Sequence, residues 1–390
     1  MNNISGIENR CFGCAACFSI CPTSAISMEE NDEGFRSPII DDSACINCGK
    51  CLRVCPASND RKDNTNNKVF AGIHTKQDIW ARSTSGGAFS AICELFGDED
   101  TYIVGAIIRC DKKTVEHDLV KGISQAGIFS GSKYVQSELG DVYTRVKQLL
   151  NEGKKVIFSG TPCQVAGLRK TLVNIDETNL LTIDLFCNGV GSPRVFRDYL
   201  DSIENSNNSR IIDYKFRDKR IKFGIHELYR TTIKFENGEK ISNTNDVYNS
   251  CFVQKVVCRK TCFHCPFNPN TMESDISIGD FKKQYEIVKN SPYNKNGSII
   301  ISHTPKGHRI CDNLWELMDI FPVDENAYDY PCSTEDKERR RDEFFCAYTE
   351  NPNNIEILLR DYSSTPGVAM RLWHCIPNKI RERVKVIFKR

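Results

Sequence analysis

The sequence predicts a small α+β domain, then an α/β domain with a mostly parallel sheet, then a helical C-terminal tail. Three observations predict this order: a tandem cysteine repeat within residues 1–58, an alternation of strand and helix patterns from residue 69, and a charged, helix-forming composition after residue 331.

The repeat is Cys11-x2-Cys14-x2-Cys17-x3-Cys21-Pro22 followed by Cys45-x2-Cys48-x2-Cys51-x3-Cys55-Pro56. It is the bacterial ferredoxin spacing, in which the fourth cysteine of each run ligates the other cluster. One 4Fe–4S cluster is therefore expected on Cys11, Cys14, Cys17 and Cys55, and a second on Cys45, Cys48, Cys51 and Cys21. Zinc also takes four thiolates, but zinc motifs rarely space four cysteines so tightly and repeat them with the same proline. Residues 1–58 read as a ferredoxin-like α+β domain and residues 59–68 as a polar linker with little apolar surface to bury.

Composition narrows the rest. The chain has 390 residues, a net charge of +1 and 40% apolar residues, enough for two or three domains with proper cores. The charge offers no general attraction to nucleic acid, and no apolar run is long enough to span a membrane. The polar start lacks the layout of a signal peptide. Twenty cysteines in a chain of this size read as metal-site and free thiols of a reducing cytoplasm rather than as a disulfide framework.

Residues 69–330 are expected to form the α/β domain. Strands are predicted at 69–73, 102–108, 155–158 and 180–186, and helices at 86–95 and 141–151. Further strands are predicted at 211–216, 229–235 and 298–302. Two strand–loop–helix corners stand out. In Ser159-Gly160-Thr161-Pro162-Cys163-Gln164, Thr161 is an N-cap, Pro162 the first helical residue, and Gln164 completes a capping box. Backbone N–H groups at such a corner favour an anion, and the helix end is expected to lower the pKa of Cys163. In Cys187-Asn188-Gly189-Val190-Gly191-Ser192-Pro193 the same design recurs. Ligands of open α/β sheets sit at these carboxyl ends. A third turn, Ser83-Thr84-Ser85-Gly86-Gly87, could hold a phosphate or be a plain capped turn.

Cys258, Cys262 and Cys265 form a second cysteine group that suits a third iron–sulfur site. Its fourth ligand would be Cys163 or Cys187, with zinc as the alternative. The isolated Cys93, Cys110, Cys251, Cys311, Cys332, Cys346 and Cys375 read as core or surface thiols.

The ordered set Ser85-Gly86-Gly87, Gly131-Ser132-Lys133-Tyr134, Gly160-Thr161-Pro162-Cys163-Gln164, Asp184-Leu185-Phe186-Cys187, Phe216-Arg217-Asp218-Lys219, the triple-cysteine run and Ile278-Gly279-Asp280-Phe281 resembles the beta subunit family of coenzyme F420 hydrogenase and formate dehydrogenase. The resemblance implies an iron–sulfur flavoprotein oxidoreductase. Ser85, Gly86, Gly87, Lys133, Tyr134, Gly160, Thr161 and Pro162 would hold FAD or FMN, with Cys163 and Lys133 at the chemistry. Arg217 and Lys219 would be further cations near the flavin. The partner would be a redox protein or a small electron carrier. The other reading is an electron-transfer or docking subunit without chemistry of its own. The chain departs from the family at Asn188, Gly191 and Lys282-Lys283, where His, Pro and Trp-Gly are usual.

Residues 331–390 are expected to be helical and basic. Arg371, Lys379, Arg381, Arg383, Lys385, Lys389 and Arg390, with interspersed apolar residues, suit weak contact with a membrane surface or packing onto the protein itself.

Overall fold

The structure is a computed structural model of the full chain. It describes residues 2–58, 66–222, 225–227, 230–281, 297–323 and 334–363. Lys282-Lys283, Cys332, Cys375 and the basic segment 371–390 lie outside the described residues.

The tandem cysteines fold as a tandem structure. Helices Ala16–Ile20 and Lys50–Val54 occupy equivalent places after the two cysteine loops. Gly13 and Asn47, two residues after the first cysteine of each loop, both have positive φ, at 69° and 52°. So do Ala15 and Gly49, at 57° and 71°. Ala15 in this region is strained, because its Cβ crowds the backbone. Left-handed residues alternating through a loop turn successive N–H groups inward, the concavity found at anion and iron–sulfur sites. An antiparallel hairpin, Ile26–Glu30 with Arg36–Ile40, links the two halves.

The remainder is built on an eight-stranded sheet. Its spatial order is Met318–Pro322, Lys68–His74, Gly297–Ser302, Ile276–Phe281, Leu180–Leu185, Val156–Gly160, Tyr102–Arg109, Thr114–Lys121. Four adjacent strands, from Ile276–Phe281 to Tyr102–Arg109, pair in parallel, and Lys68–His74 runs the same way. Five of the eight strands thus share one direction, while the flanks pair antiparallel. Parallel strands need covered faces. Ala88–Phe96 and Pro305–Cys311 pack against Ile157, Leu181, Ile183, Ile276 and Ile300 on one face. Val142–Asn151 and Pro162–Thr171 pack against Val104, Val156, Phe158 and Leu180 on the other. A second core, beside the antiparallel strands Ile211–Lys215 and Thr231–Phe235, takes in helices Pro193–Asn207, Val247–Val253, Glu335–Glu350 and Ile355–Tyr362.

Each expected strand and helix of residues 69–302 is present within a residue or two, allowing for Tyr229, which lies outside the described residues. The helical expectation for the tail holds over Glu335–Glu350 and Ile355–Tyr362. Among the described residues no helix is long and apolar enough to cross a membrane.

Candidate redox centres at the carboxyl edge

The first cysteine run gathers with the far end of the second. Cys11, Cys17, Cys51 and Cys55 share one buried cluster with Ile4, Ile7 and Ile26. Burial, then the neighbouring thiols Cys11 and Cys55, push the Cys17 thiol up. The Gly13 N–H donates to Cys11 Sγ at 3.2 Å. Cys21 in turn lines a cavity with Cys45, Cys48 and Cys51. Each half therefore meets the other's fourth cysteine, the crossing expected from the sequence. Burial acts upward on Cys21 but is outweighed by hydrogen bonds from Thr23, so its thiol lies below the ordinary range.

The ferredoxin-spaced segment is fused to the sheet domain rather than tethered to it. Cys14, Ala15 and Ala16 belong to the same core as Val104, Val165 and Leu168. Arg259, 4% exposed, donates to Cys11 O at 2.7 Å, Arg36 O at 2.9 Å and Ser37 Oγ at 2.8 Å. Thr261 Oγ1 donates to Cys11 O at 3.0 Å. Sequence reading missed Arg259. Its only signal was a cation inside the second cysteine group.

That second group assembles differently from expectation. Burial, then Cys262, Cys163 and Cys265 in that order, raise the Cys187 thiol. Cys163 is influenced in turn by Cys265 and Cys262. The four thiols Cys163, Cys187, Cys262 and Cys265 thus stand together, and both corner cysteines take part. Cys258 faces away from this group. It is fully buried in the second core, with its thiol 3.9 Å from Phe252 O. Its charge neighbours are Cys262, Lys255, Arg341 and Cys251.

Cys163 does not have the lowered pKa that its helix end suggests. The corner forms as expected, with the Thr161 N–H donating to Gln164 Oε1 at 2.9 Å. Yet burial pushes Cys163 up to about 12, against the opposing effects of the Thr161 hydroxyl at 3.2 Å and of Arg259. Desolvation of a thiolate outweighs one helix terminus. Crowded thiols that resist ionisation are what metal-bound cysteines look like without the positive charge that pairs them, and the donor set fits an iron–sulfur cube. Among the described residues no group of three or more His, Cys, Asp or Glu closes around a single-ion position. Ligands of a cube stand at separate iron corners and need no such convergence.

Beside the four thiols, the remaining motif residues form a cationic patch at the carboxyl edge. Arg217 Nη1 lies 2.6 Å from Asp280 Oδ2, and the Ser85 hydroxyl donates to the same carboxylate. Lys219 Nζ donates to Trp80 O at 2.8 Å and to Ser85 O, and sits 4.1 Å from the centre of the Trp80 ring. Lys133 Nζ donates to Phe129 O at 2.8 Å and Ser130 O at 3.0 Å. Burial brings Lys133 and Lys219 down to about 7. Lys133 has no carboxylate partner among the described residues, so an anion would fit there. Ser132 N donates to Thr84 Oγ1 at 2.9 Å, closing the patch. Tyr134 stacks on Phe252 at 4.3 Å.

The glycines have packing reasons of their own. A Cβ at Gly86 would stand 2.2 Å from Gly72 O, and Gly87 starts its helix at φ 93°. Gly160 and Pro162 are buried at the corner leading into Cys163. Asp280, Trp80 and Thr84 went unassigned from sequence. Asp280 lies in a quoted motif, but nothing in the motif says that it pairs with Arg217.

A cysteine-rich unit docked on the carboxyl edge of a mixed α/β sheet defines an iron–sulfur electron-transfer protein. Residues 10–59 match the family described as 4Fe-4S dicluster domain, and residues 153–320 match the C terminus of the coenzyme F420 hydrogenase/dehydrogenase beta subunit. The chain therefore carries the C-terminal domain of the F420 hydrogenase/dehydrogenase beta-subunit family behind a 4Fe–4S dicluster domain. No curated protein matches it. Among solved structures it is similar to a chain of the F420-reducing [NiFe] hydrogenase complex from Methanosarcina barkeri, at 15% identity and TM-score 0.45, covering 75% of this chain and 92% of that one.

Proposed function

We propose that the chain is a cytoplasmic iron–sulfur flavoprotein oxidoreductase that relays electrons between a redox partner and a substrate held at the carboxyl edge of its sheet. The domains are taken as 1–58, ferredoxin-like; 59–68, linker; 69–330, flavin and iron–sulfur; and 331–390, helical. Clusters are assigned to Cys11, Cys14, Cys17 and Cys55, to Cys45, Cys48, Cys51 and Cys21, and to Cys163, Cys187, Cys262 and Cys265.

One observation carries this reading: Cys14 influences the ionisation of Cys17 and Cys11 in its own run and of Cys163 in the other group, after burial, which is the largest effect on it. Cys14 thus links the N-terminal thiols to the thiols at the strand ends, and the route ends beside Lys133, Arg217 and Lys219. These residues, with Ser85 and the Thr161 corner, would hold the flavin. A bound flavin supplies the exchange between single electrons and hydride. The residues around it would neutralise its phosphates and keep the site dry.

The test is anaerobic purification with iron counting and flavin extraction. About twelve irons, four for each cluster, and a released FAD or FMN are expected. Fewer than four irons and no flavin after anaerobic reconstitution would overturn the proposal.

A further inference from the structure

A chain of buried polar groups runs from the protein surface to the strand that carries Cys187. Asp184 is fully buried in that strand, paired with Gly160 on one side and Ser277 on the other. The Ser277 hydroxyl is hydrogen-bonded to Asp184 Oδ1 and, at 2.7 Å, to His303 Nε2. His303 Nδ1 lies 2.8 Å from Asn67 Oδ1. Asn67 and His303 are half-exposed. Asp184 Oδ2 is buried with no partner among the described residues.

The proton inventory is decided by donors and acceptors. Asn67 Nδ2 donates to Pro269 O at 3.3 Å, which fixes its Oδ1 toward the histidine. His303 Nδ1 must then carry a hydrogen. The Ser277 hydroxyl has one hydrogen for two neighbours. If it donates to Nε2, Asp184 is a carboxylic acid that donates to Ser277. If it donates to Asp184, His303 is an imidazolium that donates to Ser277. The two arrangements differ only by one proton passed through the hydroxyl.

We propose that Asp184, Ser277 and His303 form a proton relay that supplies one proton to the carboxyl edge for each electron delivered there. The inference rests on the electron-transfer reading above. In each cycle Asp184 gives up its proton toward the edge. Ser277 passes its own hydrogen to Asp184 and takes one from His303 Nε2, and His303 is reloaded from solvent. The electron comes from the cysteine-bound clusters, so charge is balanced.

The groups facing the relay agree with the acid form at rest. Burial raises Asp184 to about 7, against Ser277, Ser274 and the Arg169 guanidinium of helix Pro162–Thr171. Burial lowers His303 to about 4, with Asp275 opposing and His308 of helix Pro305–Cys311 assisting. Asp275 is itself held by Arg169 at 3.0 Å and by Thr304 at 2.7 Å.

The test compares full-length wild type, Asp184→Asn, Ser277→Ala and His303→Phe, each checked for folding by thermal melting. In the protein as isolated, infrared difference spectra should show a buried carboxylic acid band that Asp184→Asn removes. In the iron-loaded protein, the midpoint potential of the third cluster should fall with rising pH by about 59 mV for each tenfold change in proton activity. Asp184→Asn should flatten that slope. Ser277→Ala and His303→Phe should keep it but slow proton-coupled reduction at least tenfold. A pH-independent wild-type potential, an unchanged slope in Asp184→Asn, or wild-type rates in both relay variants would each overturn the relay. Absence of a third cluster signal would instead defeat the electron-transfer reading, and the infrared band would still decide the state of Asp184. If Asp184→Asn fails to fold, the rate in Ser277→Ala decides.

Discussion

Gly167 lies against the Cys14 thiol: a Cβ built on Gly167 would stand 3.1 Å from Cys14 Sγ, 3.2 Å from Tyr143 Oη and 3.3 Å from Ala16 Cβ. Gly167 belongs to the helix that opens with Pro162-Cys163. The helix that presents one candidate ligand of the third cluster is therefore seated on a candidate ligand of the first. A larger side chain here should force the cysteine loop off the sheet domain. Gly167→Val is expected to lose about 1–3 kcal/mol, the usual cost of overpacking a tight core. Denaturant unfolding measures the loss, and iron counting should show the first cluster depleted before the second.

The separation of Cys258 from Cys262 gives a sharper test of the third cluster. Cys258 is buried among Phe252, Val256 and Val257, whereas Cys262 stands with Cys163, Cys187 and Cys265. Cys258→Ala should keep the full iron complement and lose only packing, on the order of 1 kcal/mol. Cys262→Ala should lose about four irons per chain. Equal iron losses in the two variants would return Cys258 to the ligand set.

Arg259 predicts how firmly the cysteine-rich unit is held. Its guanidinium satisfies two backbone carbonyls and Ser37, all buried at the junction. Arg259→Met would leave those acceptors without their charged donor, at a cost on the order of 3 kcal/mol. Limited proteolysis should then release a fragment containing the first 58 residues while the remainder resists. Uniform loss of protection would mean that the two parts unfold as one unit.

The spacing of cysteines and the period of apolar residues were enough to anticipate most of this arrangement. Local rules set the Thr161 and Ser192 helix starts: Gln164 accepts from Thr161 N, and Ser192 Oγ accepts from Val195 N. Long-range pairing was not readable. Thr114–Lys121 alternates polar and apolar residues, but only its pairing with Tyr102–Arg109 makes it an edge strand. Cys258 has the ligand-like x3 spacing, yet the hydrophobic environment of Tyr248 and Phe252 captures it. The pKa of Cys163 was misjudged for a related reason: a helix terminus is visible in sequence, and burial is not.

His117 gives a pH dependence that can be signed. It is buried at 7% exposure, stacks on Phe158 at 5.6 Å, and has Nε2 3.1 Å from Ser159 O. Burial lowers it from 6.5 to about 4, against the bond to Ser159 O and with help from Lys133. Between those two pH values the unfolded chain binds a proton that the folded chain refuses. Stability contributed at neutral pH is therefore lost as pH falls from 6.5 toward 4. Each tenfold difference in proton affinity between the folded and unfolded chains is worth about 1.4 kcal/mol, so this group accounts for about 3 kcal/mol across the window. His303 is also lowered to about 4 and titrates over the same range, so the wild-type slope should approach two protons. His117→Phe keeps a ring beside Phe158 and removes the proton. It should cut the slope of unfolding free energy against pH by about one proton, measured by urea unfolding from pH 7 down to pH 5. An unchanged slope would place the acid sensitivity elsewhere.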